Sequence, residues 1–197
     1  MDVGPPLARS AAGQILFWAA FLFWALHTPG RRRPKEPGET NRDQGTITLL
    51  LASLGSGVGL AFVAEVAFDA ARIGGDWRVP LALGLLSMYG GLSLAEWAAR
   101  TLGRFYRPRV TIHEGHEVVT GGPYRLIRHP IYAGGILTVL GIGLYMGNWV
   151  SVGVCFAAAL FGYLHRIRVE ERVLETALGQ PYVDYERRTK RLVPGIW

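Results

Sequence analysis

Five apolar blocks, each near the length that crosses a lipid bilayer, constrain this 197-residue chain more than any other feature. A helix needs about 20 apolar residues to cross the hydrocarbon core of a membrane. The blocks cover residues 11–27, 46–68, 79–97, 131–147 and 149–164, and we number them as spans one to five. They predict an all-α integral membrane protein with about five transmembrane helices.

The placement of positive charge predicts how these spans are oriented. Eighteen of the 21 Lys and Arg residues lie in three alternate segments: between spans one and two, between spans three and four, and after span five. Positive residues accumulate on the cytoplasmic side of a membrane. We therefore expect the amino terminus outside and the carboxyl terminus in the cytoplasm. The same alternation excludes a nucleic-acid partner, because the arginines flank apolar spans and form no single basic face.

Short linkers and turn residues organise the carboxyl-terminal half. Only Gly147 and Asn148 separate spans four and five, which predicts a tight antiparallel hairpin. Span five continues as a polar helix, "HRIRVEERVLETAL", that we expect to end at Gly179. Residues 98–130 predict a functional loop with a small hairpin or irregular lid. We divide the chain into a three-helix membrane region, 1–108, and a binding and catalytic region, 109–197, within one structural unit overall.

Paired glycines within two of the spans predict close helix packing. Gly55 and Gly59 lie four residues apart in span two, and Gly143 and Gly147 repeat this spacing in span four. Small residues at this spacing let two helix backbones approach each other in a membrane. We expect both pairs to lie at helix–helix contacts.

The segment "GGPYRLIRHPIYAGG", residues 121–135, places polar groups where span four begins. Pro130 suits the first turn of a helix, so His129 falls near the N-cap. The first amide groups of a helix are unpaired and lie at the positive end of its dipole. With Arg125 and Arg128 beside them, they predict an anion pocket at the cytoplasmic face. Tyr132, one turn further on, adds a ring and a hydroxyl.

The hairpin returns a second polar group to the same membrane face. Span five leads into Arg166, Arg168, Glu170 and Glu171, so carboxylates and arginines meet. This combination suits a zwitterionic or cationic ligand that carries a carboxylate, with a lateral entrance for a lipid tail. Simpler interpretations remain open: the arginines as membrane anchors, the histidine as a helix cap and the glutamates as a solvated helix face.

Other polar residues of the spans and the tail receive separate interpretations. Glu65, inside span two, is expected to reach the interface or to pair with Arg72 or Arg78, whereas Glu96 of span three is a candidate for the site. Aromatic residues near the carboxyl terminus are interpreted as membrane-interface anchors: Tyr182, Tyr185 and Trp197.

No metal site is predicted. Cys155 is the only cysteine and lies inside span five, where a packing role is expected. His113 and His116 flank Glu114, but the sequence offers no further well-placed ligands for a metal ion.

Two motifs together resemble a known family. "GGPYRLIRHPIYAGG", a two-helix hairpin, "EERVLETALGQPYVDYERR" and a late "VPG" resemble the isoprenylcysteine carboxyl methyltransferases over residues 109–195. The resemblance implies S-adenosylmethionine as methyl donor, bound at the cytoplasmic side without a Rossmann fold. It implies cofactor-binding roles for His116, Val119, Gly122, Tyr124, Arg128, His129 and Tyr132. It also implies that Glu170 and Glu171 close the site, and that Arg166 or Arg168 binds the carboxylate of the substrate.

The resemblance then implies direct methyl transfer to a lipophilic or lipid-linked acceptor, most simply a carboxylate. The short Gly-, Ala- and Arg-rich chain suggests a protein of the prokaryotic inner membrane, in contact with its lipids. Three alternatives stay open: a phospholipid N-methyltransferase, an NADPH-dependent membrane reductase and a non-catalytic lipid-binding protein. Reductases with a similar R-H-P-x-Y motif usually have Asn before the tyrosine, where this chain has Ile131.

Overall fold

Helices make up most of the protein. The computed structural model describes residues 38–112 and 114–196, together with positions 15, 19 and 22, so the prediction of span one lies largely outside the described residues. The helices are α1 (Thr46–Ala67), α2 (Arg78–Leu102), α3 (Pro130–Tyr145), α4 (Trp149–Leu178) and α5 (Gln180–Arg188). Two short strands, β1 (Thr40–Asn41) and β2 (Thr111–Ile112), pair with each other.

Three of these helices are long and apolar enough to cross a membrane. They are Thr46–Ala67, Arg78–Phe105, which includes a final 3₁₀ turn, and Trp149–Leu178, while Pro130–Tyr145 is apolar but shorter. Large apolar side chains on their outer surfaces are exposed, among them Leu51, Val66, Leu86 and Phe161. A lipid environment accounts for such surfaces. The predicted all-α membrane architecture is confirmed, and the number of five spans stays a prediction.

Glycines set the closest helix contacts, but only in part where the sequence predicts them. α2 lies against α3: a Cβ atom added to Gly91 would come within 2.4 Å of the Gly134 carbonyl oxygen. α1 lies against α4 at Gly57, where an added Cβ would meet the Cβ of Ala158 at 2.3 Å. The prediction for Gly55 and Gly59 is wrong among the described residues, where no other element has an atom within 4 Å of a Cβ placed on either. These two glycines lie on exposed faces of α1.

The predicted hairpin between spans four and five, which correspond to α3 and α4, is confirmed. Gly147 makes the turn with a positive φ of 66°, and the Asn148 side chain caps α4 by accepting from the Val150 and Ser151 amides at 2.9 and 3.2 Å. Gly143 lies at the helix contact, where an added Cβ would be 2.7 Å from the Val152 Cα. Gly147 therefore serves the turn and not the packing.

The segment before α1 pairs with the long loop after α2. Asn41 lies opposite Thr111 in an antiparallel ladder, and the Arg42 amide donates to the Val110 carbonyl at 2.8 Å. We call residues 39–43 and 107–112 together the strap. The sequence predicts a hairpin within residues 98–130, and the structure corrects this, since the partner strand comes from residues 40–41.

Two apolar clusters hold the described residues together. The larger one lies between the helices and includes the fully buried Cys155, whose packing role is confirmed. The smaller one contains Ala98, Tyr124, Tyr182 and Tyr185. Burial of both carboxyl-terminal tyrosines contradicts their interpretation as membrane anchors, and Trp197 lies outside the described residues.

Candidate active site

A cavity of about 340 Å³ lies where α3 begins and the polar extension of α4 passes over it. The volume lies within the range of about 300–1,000 Å³ that is typical of ligand pockets. α1, α3, α4, α5 and the strap all contribute to its wall. Polar lining residues include Arg128, His129, Tyr132, Arg166, Glu170, His116, Glu117, Thr111 and Tyr182. Apolar lining residues include Ile47, Leu50, Leu51, Leu54, Val118, Val119, Leu174 and Leu178.

Arg166 is buried in the cavity wall and bonds to four other residues. Its Nη1 donates to Asp43 Oδ1 at 2.9 Å and to Thr46 Oγ1 at 3.0 Å. Its Nη2 donates to the Pro108 carbonyl at 2.5 Å, and its Nε to the Tyr132 hydroxyl at 2.8 Å. The guanidinium therefore joins α4 to α1, α3 and the strap. Such a rigid set of bonds fixes its position.

Asp43 is the acidic partner of this arginine, and the sequence analysis missed it. Its carboxylate also accepts from the Thr46 hydroxyl at 2.9 Å, the Ile47 amide at 3.0 Å and the Val110 amide at 3.2 Å. Burial alone would raise the pKa of Asp43, but these hydrogen bonds and the Arg166 charge outweigh it and lower the pKa. The N-cap of α1 is Gly45, two residues after Asp43, so the usual capping pattern does not identify Asp43 in the sequence.

Tyr132 connects Arg166 to Glu170. Its hydroxyl accepts from Arg166 and donates to Glu170 Oε2. The Tyr132 ring is nearly parallel to the His129 ring, with 5.4 Å between centroids, and its centroid lies 5.3 Å from that of Tyr163. The carboxylate of Glu170 is thus held at the cavity surface through a phenol.

Glu171 belongs to a second network behind the cavity wall. Its Oε1 accepts from Arg128 Nε at 3.0 Å and lies 3.2 Å from His129 Nε2. Its Oε2 lies 2.8 Å from Nη2 of Arg191. Arg128 also pairs with Glu186 Oε1 at 3.0 Å and donates to two backbone carbonyls. This network ties the start of α3 to the carboxyl-terminal segment.

Comparison with known proteins identifies the family. The sequence model of one family, described as phospholipid methyltransferase, matches residues 79–181, which is more than half of the chain. The chain belongs to the phospholipid methyltransferase family. It is 30% identical over 140 residues to protein-S-isoprenylcysteine O-methyltransferase B of Arabidopsis thaliana, and the match covers 70% of each chain.

Other relatives span a wider range of named roles. The chain is 33% identical over 135 residues to the cobalt-zinc-cadmium resistance protein CzcN of Cupriavidus metallidurans, a match that covers 68% of this chain and 59% of that protein. It also spans less than two thirds of several methyltransferase relatives, such as 58% of isoprenylcysteine O-methyltransferase A of Arabidopsis thaliana.

A solved structure shows the same fold. The eukaryotic intramembrane Ras methyltransferase ICMT aligns with a TM-score of 0.66 at 21% identity, over 99% of this chain and 70% of that one. The predicted resemblance to the isoprenylcysteine carboxyl methyltransferases is confirmed, as is the class of enzyme to which the family belongs.

Three predicted site residues, Arg125, Arg168 and Gly122, do not line the cavity. Arg125 and Arg168 are exposed and do not line the cavity. Arg168 follows Arg166 by two residues, about 200° around the helix, so only one of them faces inward. Gly122 lies behind the wall with a φ of 53°, and a Cβ there would meet Thr101 Oγ1 at 2.9 Å. A glycine at this position therefore serves the backbone turn.

The predicted anion pocket is also corrected. The Arg128 side chain is only 8% exposed, but Glu171 and Glu186 neutralise its charge. His129 occupies the N-cap position of α3, yet its side chain makes no cap hydrogen bond and contacts Glu171 instead. A buried guanidinium requires acceptors, and the carboxyl-terminal segment supplies them here.

The two remaining polar candidates are the glutamates of the predicted spans, Glu96 and Glu65. Glu96 pairs with Arg100 at 2.7 Å along its own helix and does not line the cavity. Glu65 is buried in α1, and its expected partner Arg72 pairs with Asp69 instead, at 2.8 Å.

Only one of the two histidines, His116, lies in the part of the chain that the structure describes. The described residues contain no group of three metal-ligating side chains. His116 lines the cavity beside the Phe105 ring, with 4.9 Å between centroids, and His113 lies outside the described residues.

Proposed function

We propose that this protein transfers a methyl group from S-adenosylmethionine to a lipophilic acceptor, most simply a lipid-linked carboxylate. The observation that carries the proposal is the cavity itself. It places the buried network of Asp43, Arg166, Tyr132 and Glu170 directly beside apolar side chains of a membrane-length helix. This combination matches a charged reaction centre with an apolar entrance.

The residues of the cavity fit S-adenosylmethionine. The hydroxyls of Tyr182 and Thr111 are buried, belong to lining residues and have no hydrogen-bond partner among the described residues. Glu170 supplies a carboxylate, and Tyr124 and Tyr132 supply aromatic rings. S-adenosylmethionine, when bound, supplies an electrophilic methyl group on a positively charged sulfur.

Glu170 and Tyr132 would hold the cationic part of the cofactor. A carboxylate and the face of an aromatic ring both attract a positive charge in a site that excludes water. From the resemblance to the isoprenylcysteine carboxyl methyltransferases, we assign further cofactor contacts to His116, Val119, Arg128 and His129. The network fixes these groups before the reactants bind, which favours alignment of the acceptor with the methyl group.

Arg166 would bind the acceptor carboxylate. A guanidinium has five N–H donors, and the bonds described above use four of them. The fifth, on Nη2, has no partner among the hydrogen bonds of the described residues. A carboxylate is ionised at neutral pH, so its attack on the methyl group requires no general base.

The apolar part of the acceptor would enter from the lipid. Leu51 lines the cavity and is also 61% exposed on the surface of α1. The cavity therefore reaches the face of α1 that lipid would cover. Leu50 and Leu54 continue this apolar wall inward, which suits an acyl or prenyl chain.

Methyl transfer to a phospholipid amine is a second candidate, because the family model carries that description. A phospholipid amine is protonated at neutral pH and must lose a proton before it attacks the methyl group, which a carboxylate acceptor does not require. An NADPH-dependent reductase is less well supported, because reductases with a similar R-H-P-x-Y motif usually have Asn where this chain has Ile131.

We also propose that the site lies at the cytoplasmic face, in the inner membrane of a prokaryotic cell. The positive charge of the loops supports the orientation, and the match to a protein of Cupriavidus metallidurans supports the origin.

The test is methyl incorporation by the purified protein in lipid nanodiscs. Radiolabelled S-adenosylmethionine is supplied with a panel of farnesyl cysteine, long-chain fatty acids and phosphatidylethanolamine. We expect base-labile label, the sign of a methyl ester, on a lipophilic carboxylate. Arg168→Ala is the matched control for Arg166→Ala, because its side chain points away from the cavity. Label on the amine alone would establish the second candidate instead.

A further inference from the structure

Tyr182 of α5 has an unusual environment for a tyrosine. The residue is 3% exposed and lines the cavity, and its hydroxyl is buried without a hydrogen-bond partner among the described residues. Native proteins pair nearly all buried hydroxyls, because an unpaired one loses its bonds to water and gains none. The cavity wall therefore presents a free donor.

Its neighbour Tyr185 provides a contrast on the same helix. The two rings lie 6.1 Å apart, and the Tyr185 hydroxyl donates to the Tyr124 carbonyl at 2.8 Å. Both tyrosines are buried in the same apolar cluster. Only the hydroxyl of Tyr182 lacks a partner among the described residues, so the local fold does not require this group.

The surroundings of Tyr182 indicate which kind of ligand it would meet. We call Tyr124, Tyr182, Tyr185, Val118 and Val119 the aromatic compartment of the cavity. Its walls are flat rings and aliphatic side chains, whereas the charges of Arg166 and Glu170 lie in the reaction centre. A purine has flat apolar faces and acceptor nitrogens at its edge, and a ribose adds acceptor oxygens.

The Tyr182 hydroxyl is a donor at every physiological pH. Burial and the nearby carboxylates of Glu171 and Glu170 raise its pKa well above the usual value. Glu170 already accepts from Tyr132, and Glu171 from the network behind the wall. An acceptor atom of a ligand would therefore give the Tyr182 hydroxyl the hydrogen-bond partner that it lacks among the described residues.

We propose that Tyr182 binds the adenosine part of the methyl donor, donating its hydroxyl hydrogen to a ring nitrogen or ribose oxygen within the aromatic compartment. This inference rests on the proposed function and adds to it a specific contact from the carboxyl-terminal helix. Thr111 Oγ1, also buried without a partner among the described residues, is a second hydroxyl on the same cavity.

The experiment compares Tyr182→Phe with Tyr185→Phe in the full-length protein. Thermal unfolding without ligand is measured first, then calorimetric affinity for S-adenosylhomocysteine and for methylthioadenosine, which lacks the amino-acid part. In Tyr182→Phe we expect an unchanged or higher Tm, and a loss of about five- to tenfold in affinity for both ligands, the size of one hydrogen bond. In Tyr185→Phe we expect a lower Tm, because a bond within the protein is lost.

Each other outcome has a definite meaning. Unchanged affinities in a folded Tyr182→Phe would overturn the inference and leave the proposed function standing. A loss for S-adenosylhomocysteine alone would overturn the assignment to adenosine. A Tm lowered as in Tyr185→Phe would show that the hydroxyl has a structural partner and would overturn the inference as well. Failure of the wild-type protein to bind either ligand would contradict the proposed function itself.

Discussion

Two adjacent glutamates of α4 lie in different surroundings although they are neighbours in the sequence. Glu170 and Glu171 are about 100° apart around α4, so they cannot face the same surroundings. Glu170 lies at the cavity and contacts the Tyr132 hydroxyl. Glu171 accepts from Arg128 and contacts His129 and Arg191 behind the wall. We therefore expect the Glu170 carboxylate to contact a ligand and the Glu171 carboxylate to stabilise the fold.

Replacing each glutamate by glutamine separates these roles. We expect Glu170→Gln to abolish methyl transfer with little change in stability, because it removes the charge that attracts the cofactor. We expect Glu171→Gln to lower the free energy of unfolding by about 3 kcal/mol, since it leaves part of the Arg128 charge unmatched in a buried site. Methyl incorporation and denaturant unfolding measure the two effects. Full activity in a folded Glu170→Gln protein would contradict the role of this carboxylate.

The sequence predicted some residues of the site and not others, for reasons of distance along the chain. The sequence pattern predicted that carboxylates and arginines meet at the start of span four, and Glu171 does pair with Arg128, because the hairpin fixes which residues meet. Asp43 was missed, since its partner Arg166 lies 123 residues away. Arg168 was chosen alongside Arg166 because the sequence does not reveal the rotation of α4 about its axis.

At the scale of elements, glycines of α1 decide how closely it packs on α4. Gly57 faces Ala158, and two residues away Gly55 has no contact with another element of the part of the chain that the structure describes. The sequence pattern indicated that small residues mattered in this helix, but it selected the wrong face. The spacing of a glycine pair does not reveal which face of a helix contacts its neighbour when the surrounding residues are all apolar.

A matched pair of substitutions tests this packing. Gly57→Ala would place a methyl group 2.3 Å from the Cβ of Ala158, so we expect the free energy of unfolding to fall by about 1–3 kcal/mol. Gly55→Ala meets no other element of the described structure within 4 Å and should be neutral or stabilising by up to about 1 kcal/mol. Thermal unfolding in one detergent compares them. Equal effects of the two substitutions would mean that α1 and α4 do not pack in this register.

At the scale of the whole molecule, we expect the four helices α1 to α4 to return the chain to its starting side. The 16 residues of α3 extend about 24 Å, less than the hydrocarbon thickness of about 30 Å, so flanking residues would have to complete that crossing. Reporter fusions at residue 38 and after residue 197 should both indicate the cytoplasm. Opposite readings would mean that one of the helices does not cross, and the site would then lose its common face.

The most direct test of the account is a comparison of two ligands by calorimetry on the purified protein. The account predicts that S-adenosylhomocysteine binds at one site per chain and that NADPH does not bind, because Ile131 stands where the reductases with a similar motif usually have Asn. A methyl donor site should also lose affinity in Tyr182→Phe but not in Arg168→Ala. Binding of NADPH without binding of S-adenosylhomocysteine would contradict the account.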